Sequence, residues 1–406
     1  MPTDKRKTKK RRTTSKKKST QKRWVSTHLA IGLAGLLLVA GAFGYGMYRI
    51  MNSRLSRQMP LFEVYPSRRG TEAKVKEIDR CIYDALLALN VPGKDVEFKV
   101  VETKGNNKES WTFSEMEIHL PASVQSEAIK RTFYKKFSHI LPGKSLHFQQ
   151  SGKYKTILDL SINGHRTHQL VFLTTTKLRP VISPQRKLPK VAILIDDMGY
   201  DKRMAAKFIK LDGKISFSVL PYSPFEESIA TSLHETGHDV LLHLPMEPIG
   251  YPRVNPGDGA LLCSMDTDKL SDQLRKDLER VPFVVGVNNH MGSRFTQDLA
   301  KMRQVFTILK KRNLFFIDSR TDPKSRCAEA AQVLQLRFAE RNVFLDNVQE
   351  ANAIRFQIKR LLSIANTKGC AIGIGHPHPI TLQVLKEELP SIRKKVELVP
   401  VSELIG

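Results

Sequence analysis

Two adjacent carboxylates, Asp196 and Asp197, three histidines, His243, His290 and His376, and two further aspartates, Asp318 and Asp346, stand where short apolar runs end. Imidazole and carboxylate are the usual donors for a catalytic divalent cation, and two neutral imidazoles with one carboxylate leave coordination positions open for water or a substrate carbonyl. A second carboxylate beside such an ion stays ionised and can take a proton, and a histidine across the site can return one to a leaving group. The chemistry these residue types suit is metal-assisted hydrolysis. Taken singly, one Asp reads as a cap for the helix that starts near Asp201, and a lone His as a hydrogen-bonded structural residue. Three histidines and two aspartates at equivalent strand ends favour the metal site instead.

The elements that must position these residues recur along the C-terminal half. Val191–Ile195 is uninterrupted by polar residues, which predicts a strand buried on both faces, with Pro189 and Gly199 bounding it. Strands are predicted likewise at 215–220, 239–244, 283–287, 314–317, 343–345, 371–374 and 396–399. Helices are predicted at 202–210, 226–236, 267–281, 299–312 and 351–368. Alternation of this kind argues for a parallel sheet covered by helices, and seven or eight repeats argue for closure into a (β/α)7–8 barrel, with an open doubly wound sheet as the other solution. The polar strand ends would then share one mouth. No Gly-x-Gly-x-x-Gly follows the first strand, which argues against a dinucleotide site.

Five segments, taken in order, carry a resemblance: Ile195-Asp196-Asp197-Met198-Gly199, His238 to Pro248, Asn288-Asn289-His290-Met291-Gly292-Ser293, Phe316 to Thr321 and Gly373-Ile374-Gly375-His376-Pro377. Residues 189–405 resemble the divergent polysaccharide deacetylase family, part of a superfamily with a NodB-like distorted (β/α) barrel. In the typical members a Thr-Phe-Asp-Asp-Gly motif supplies a base and then a metal ligand, so the resemblance implies Asp196 as base and Asp197 as ligand. His243 matches the first His of the typical His-Ser/Thr-x-x-His motif, but Glu247 stands where the second would be. The third ligand is then Glu247 or His290. His290 is preferred, since Pro245 and Pro248 bend Glu247 away and imidazole is the commoner zinc ligand. His376 matches the family's acid, while Asp318 and Asp346 read as carboxylates that orient His or Arg320, and Glu247, Asn289, Ser293 and Arg320 are expected to bind substrate or support the site. The cofactor expected is a divalent cation, zinc ahead of magnesium, manganese or nickel.

Composition bounds the rest. The 406 residues carry a formal charge of +26, and the first 27 contribute twelve Lys or Arg against one Asp, leaving about +15 spread along the chain without clustered aromatics. That argues against a nucleic-acid partner and suits anionic envelope polymers or lipid head groups. Residues 1–27 are predicted to be a disordered cytoplasmic tail, 28–49 an uncleaved transmembrane helix and 50–70 a linker. The basic flank sets the orientation, with the remainder of the chain outside the inner membrane, in the periplasm. A small α+β domain follows at 71–176, an accessory module that could dock an envelope protein, then a linker at 177–189 and the catalytic domain at 190–406. Four scattered cysteines without a CxxC are expected as buried or free thiols, and the apolar strand behind Cys370 argues for its burial. Together these readings describe a metal-dependent hydrolase that removes N-acetyl groups from peptidoglycan or another envelope polysaccharide. The alternative is an inactive glycan-binding or scaffolding protein of the envelope.

Overall fold

The computed structural model describes residues 71–91, 95–105, 110–120, 124–152, 154–174, 188–211 and 214–406. The basic tail, the apolar 28–49 segment, the 50–70 linker and residues 175–187 lie outside them. Among the described residues no helix is long and apolar enough to cross a membrane.

The first part is a five-stranded sheet with two helices. Helix α1 (Thr71–Ala88) buries Val75, Ile78, Ile82, Ala85 and Leu86, the one-sided spacing that makes a helix pack. Strands β1 (Val96–Gly105) and β2 (Ser110–Leu120) pair antiparallel, helix α2 (Ser126–Phe137) follows, then β3 (Leu146–Gln150), β4 (Lys155–Ile162) and β5 (His165–Thr174). The sheet order is β1-β2-β5-β4-β3, with β2 and β5 parallel at its centre. In β4 every second residue is buried, as a half-covered strand requires. Asn163 (φ 49°) and Gly164 (φ 83°) both take the left-handed conformation of a two-residue hairpin turn, the geometry expected of that dipeptide. Strand β3 escaped prediction because it is an edge strand that buries Leu146 alone.

The second part is an all-parallel sheet curved into a half-barrel. Its elements are β6 (Lys190–Met198), α3 (Lys202–Ile209), β7 (Ser216–Val219), α4 (Glu226–Glu235), β8 (Val240–Met246), α5 (Thr267–Arg280), β9 (Val284–Met291), α6 (Leu299–Lys311) and β10 (Phe315–Asp318). They continue with α7 (Cys327–Leu334), β11 (Phe338–Glu340), β12 (Val343–Phe344), α8 (Ala351–Lys368), β13 (Cys370–Gly375), α9 (Pro379–Arg393) and β14 (Glu397–Leu398). The order is β11-β10-β9-β8-β7-β6-β13-β12, so the expected closed barrel is corrected to an open one. The gap falls between β11 and β12, which are consecutive in sequence. Arg341 N–H donates to Asp318 O on one edge while the next residue, Asn342, donates to Ile372 O on the other, so the chain is pulled apart where closure would occur. Strand β14 does not complete a ring. It pairs with β6 at Lys190 and Val191, below the point where β7 joins at Leu194. Helices α7 and α9 were not foreseen: α7 has only eight residues, and α9 carries Pro379 in its first turn and Pro390 inside. Cys370, expected to be buried, is exposed at the first position of β13, and all four cysteines are free thiols.

Helix α8 carries the joint between the two parts. Phe356 on α8 meets Phe98 on β1 edge-on, with ring centroids 5.0 Å apart. Ser363 donates to Phe98 O (3.0 Å) and Lys359 to Val96 O (3.1 Å). Beside them Asp79 on α1 accepts from Arg360 (2.6 Å) and faces His168 Nε2 on β5 (3.1 Å). One continuous apolar core runs through both sheets. Phe356→Ala should therefore lower the unfolding free energy of the whole protein by about 3–5 kcal/mol, the usual cost of truncating a buried aromatic, measurable by urea denaturation.

Candidate metal centre

Successive residues of a strand point to opposite faces, yet Asp196 and Asp197 both enter the mouth. A bulge makes this possible. Ile195 pairs with Phe217 and Met198 with Val219, so β6 places one residue more than β7 in the interval. Asp197 takes up the extra residue in a left-handed conformation (φ 54°). As a result Asp196 Oδ2 lies 3.8 Å and Asp197 Oδ1 3.0 Å from the same atom, His243 Nε2. Gly199 (φ 131°) then turns the chain against the β7–α4 loop, where an added Cβ would lie 1.9 Å from Ser223 Oγ. Asp201 caps α3 with its own carboxylate, accepting from Arg203 N and Met204 N, so neither member of the pair is needed as a cap.

Asp197 Oδ1, His243 Nε2 and His290 Nδ1 form a triangle with sides of 3.0, 3.0 and 3.2 Å. Donors about 2.0–2.1 Å from one ion would be roughly 2.9 Å apart at octahedral and 3.3 Å at tetrahedral angles, so these three sides fit a single cation. The residues supplying the donors are buried, and among the described residues only the two imidazole nitrogens at 3.0 Å face Asp197 Oδ1. His290 Nε2, on the far side of its ring, is likewise without a partner among the described residues.

Asn288 sets the protonation pattern. Its Nδ2 donates to both oxygens of Asp196 (2.9 and 3.0 Å), and its Oδ1 accepts from Ser218 Oγ and faces His243 Nδ1 at 3.0 Å. His243 must carry a hydrogen on Nδ1 to meet that oxygen, which leaves its Nε2 lone pair for the triangle. Burial depresses the His243 pKa, but Asp196 and Asp197 outweigh it and the value is raised. A proton there does the work that a cation would take over. For Asp197 the burial penalty is overcome by His290 and His243, which hold it well below the usual carboxylate range. His290 is lowered, chiefly by burial.

Burial also acts on Asp196 and wins, raising it to about 6 against the opposing pull of His243 and His376. His376, on the loop after β13, donates from Nδ1 to Asp346 Oδ1 (2.8 Å). Asp346 Oδ2 accepts the His376 backbone N–H (2.6 Å) and Thr381 Oγ1 (2.7 Å). Burial lowers the His376 pKa, Asp346 more than reverses this, and the result is about 9. Asp346 itself is held low, its burial offset first by His376. The site thus holds a carboxylate poised to accept a proton near neutrality and an imidazolium able to give one up.

The structure brings together Asp196, Asp197, His243, His290 and His376, with Asp346 behind the last. It does not bring Glu247 to the triangle: Arg294 holds its Oε1 (2.8 Å) and Cys263 N–H its Oε2 (2.6 Å). Asn289 and Ser293, expected to bind substrate or support the site, serve as loop braces. Asn289 accepts from Ser319 N and donates to Met291 O, and Ser293 Oγ accepts from Ile249 N. Asp318 accepts from Arg320 N and Ser325 Oγ within its own turn, so of the two expected partners it meets Arg320, through the backbone, and Arg320 pairs with Glu340 (2.8 Å). Asn288 had no role assigned from sequence, although its place two residues before His290 on one strand put both on the same face. Ser218 and Ser319, which also touch Asn288, carry no sequence signal for this.

Residues 193–405 match the family described as divergent polysaccharide deacetylase. The uncharacterised protein YibQ of Escherichia coli K12 is 38% identical over 217 residues, covering 53% of this chain and 67% of that protein. An uncharacterised Haemophilus influenzae protein is 34% identical over 215 residues, covering 53% and 76%. Among solved structures, the uncharacterised protein ATU2773 of Agrobacterium tumefaciens superposes with a TM-score of 0.52 at 24% identity, over 55% of this chain and 92% of its own, a likeness of fold.

Asn288→Ala should strip Asp196 of its donor and raise that carboxyl above about 6, while destabilising the protein by about 1–3 kcal/mol for the buried groups left unpaired. Chemical denaturation reads the second effect. Nitrogen-15 NMR should show His243 protonated at Nδ1 in the wild type and without that preference in the variant.

Proposed function

This chain belongs to the divergent polysaccharide deacetylase family, and on that premise we propose that it hydrolyses N-acetyl groups on an envelope glycan, peptidoglycan or a related polysaccharide. The observation that carries the reading is the three-donor triangle of Asp197, His243 and His290, with a separate base and acid on either side. These residues would hold a divalent cation, zinc first given two nitrogens and one oxygen, and the cation when bound supplies Lewis acidity to the acetamide carbonyl. Asp196, steadied by Asn288, takes the proton of the attacking water. His376, steadied by Asp346, delivers a proton to the departing nitrogen as the C–N bond breaks, giving acetate and a free amine. The reading extends to location. The basic tail and the apolar 28–49 segment support an anchor in the inner membrane with the catalytic part on the periplasmic side.

The direct test is metal content and acetate release from N-acetylated glycan fragments. Wild type should bind about one divalent ion per chain and release acetate. Asp197→Ala and His290→Ala should lose the ion, and Asp196→Asn should keep the ion while its turnover falls by about 10²–10⁴. An ion bound without acetate from any fragment would make the chain a glycan-binding protein instead.

The pH profile is a second test. Asp196 must be ionised and a cation lowers its pKa, so the acid limb should lie no higher than about pH 6. His376 must be protonated, so activity should fall above about pH 9. Asp346→Asn removes the charge that raises His376, and the alkaline limb should move down by about two pH units, toward the ordinary histidine range.

A further inference from the structure

A cleft of about 310 Å³ lies outside the catalytic mouth, between the first sheet and the open seam of the half-barrel. That volume is at the lower end of the roughly 300–1,000 Å³ typical of ligand clefts, which form preferentially at domain junctions. One wall is built from α1, β1 and β2, and the other from the segments after β10, β11 and β12 and one face of α8. Since α8 starts at the mouth end of β12 and finishes beside the start of β13, the cleft runs down the flank of the barrel from the mouth rim.

Its lining combines aromatic rings with an excess of positive charge. Tyr83 on α1, Trp111 on β2 and Phe344 on β12 line it, all three half-buried. Five cationic side chains stand against three carboxylates. Two of the cations are engaged in ion pairs, Arg360 with Asp79 and Arg320 with Glu340. Arg341 stands over the Phe344 ring at 3.7 Å and donates to Ser319 O and Arg320 O, while Arg80 and Lys368 are exposed. Aromatic faces suit the C–H faces of pyranose rings, and guanidinium and ammonium groups suit carboxylates. Phe344 joins the cleft to the mouth: its ring lies 5.8 Å from the His376 ring at 28°, so the cleft and the proton donor are one side chain apart.

We propose that this cleft binds a carboxylate-bearing stretch of the glycan chain that continues beyond the sugar in the catalytic mouth. The first sheet is then part of the substrate site, which earlier appeared only as a module that could dock a protein. The proposal rests on the deacetylase reading for the identity of the chain, but its binding step needs no metal and no turnover.

The test uses the full-length protein and two readouts. In the first, retention on insoluble peptidoglycan is measured for wild type, Asp197→Ala, Arg80→Glu and Trp111→Ala. Asp197→Ala should be retained like wild type, and Arg80→Glu and Trp111→Ala should each be retained at least about fivefold less. Arg80 is exposed on α1, so loss in that variant does not arise from unfolding. In the second, acetate release from N-acetylglucosamine oligomers is compared with that from muramyl-containing glycan of equal length. Arg80→Glu and Trp111→Ala should raise KM for the long carboxylate-bearing chains about tenfold and leave KM and kcat for the shortest oligomer unchanged. Cleft-dependent retention without acetate release from any chain supports this inference while sinking the hydrolase reading. Unchanged retention in both variants overturns it and returns the first sheet to the role of a protein-docking module.

Discussion

Everything at the site depends on getting two consecutive side chains onto the same side of a strand. The pleat forbids this in a regular ladder, and the bulge at the end of β6 with a left-handed Asp197 is the local solution. Gly199 and Ser223 then close the turn with no room for a side chain between them. Once both carboxylates are buried, each must be compensated, and the strand order supplies the compensation. The run β9-β8-β7-β6 sets Asn288, His243, Ser218 and the Asp pair on neighbouring strands, so that a single amide can serve a carboxylate, an imidazole and a hydroxyl.

The same burial yields opposite outcomes for two consecutive carboxylates and a third two strands away. Asp197 has two imidazoles against it and is held ionised, whereas Asp196 has an amide and two more distant imidazoles and is pushed up to about 6. Asp346 spends both oxygens on His376 and Thr381, and the ion pair it forms raises the imidazole to about 9. Groups pushed apart in this way divide the labour of proton transfer. The division comes from partners and packing, since the three side chains are chemically identical.

The open seam has a related logic. A closed ring would need β11 and β12 to pair, but the residues joining them bond outward to β10 and β13. The flank left beside the seam is covered through α8 by the first sheet, with Phe356 on Phe98 and the buried Asp79 between Arg360 and His168. Burial would raise Asp79, and Arg360 and His168 together keep it lowered. An ion pair of this kind, broken on one side, leaves a buried charge, so it favours one particular docking of the two parts.

The strand–helix rhythm of the C-terminal half and the gathering of Asp196, Asp197, His243, His290 and His376 at one mouth were legible in the sequence, and the structure places His290, not Glu247, beside Asp197 and His243. Apolar runs ending in a polar residue report strand ends directly, and Pro245 and Pro248 hinted that Glu247 turns away, as its bonds to Arg294 and Cys263 now show. Helix α9 was obscured by its prolines and β3 by its exposure. The sequence could not reveal whether the sheet closes, because closure depends on lateral hydrogen bonds between strands and not on how many there are. Nor could it separate Asn288, which orients both Asp196 and His243, from Asn289, which braces a loop: one step along the pleat decides between them, and only the assembled sheet shows which face is the mouth.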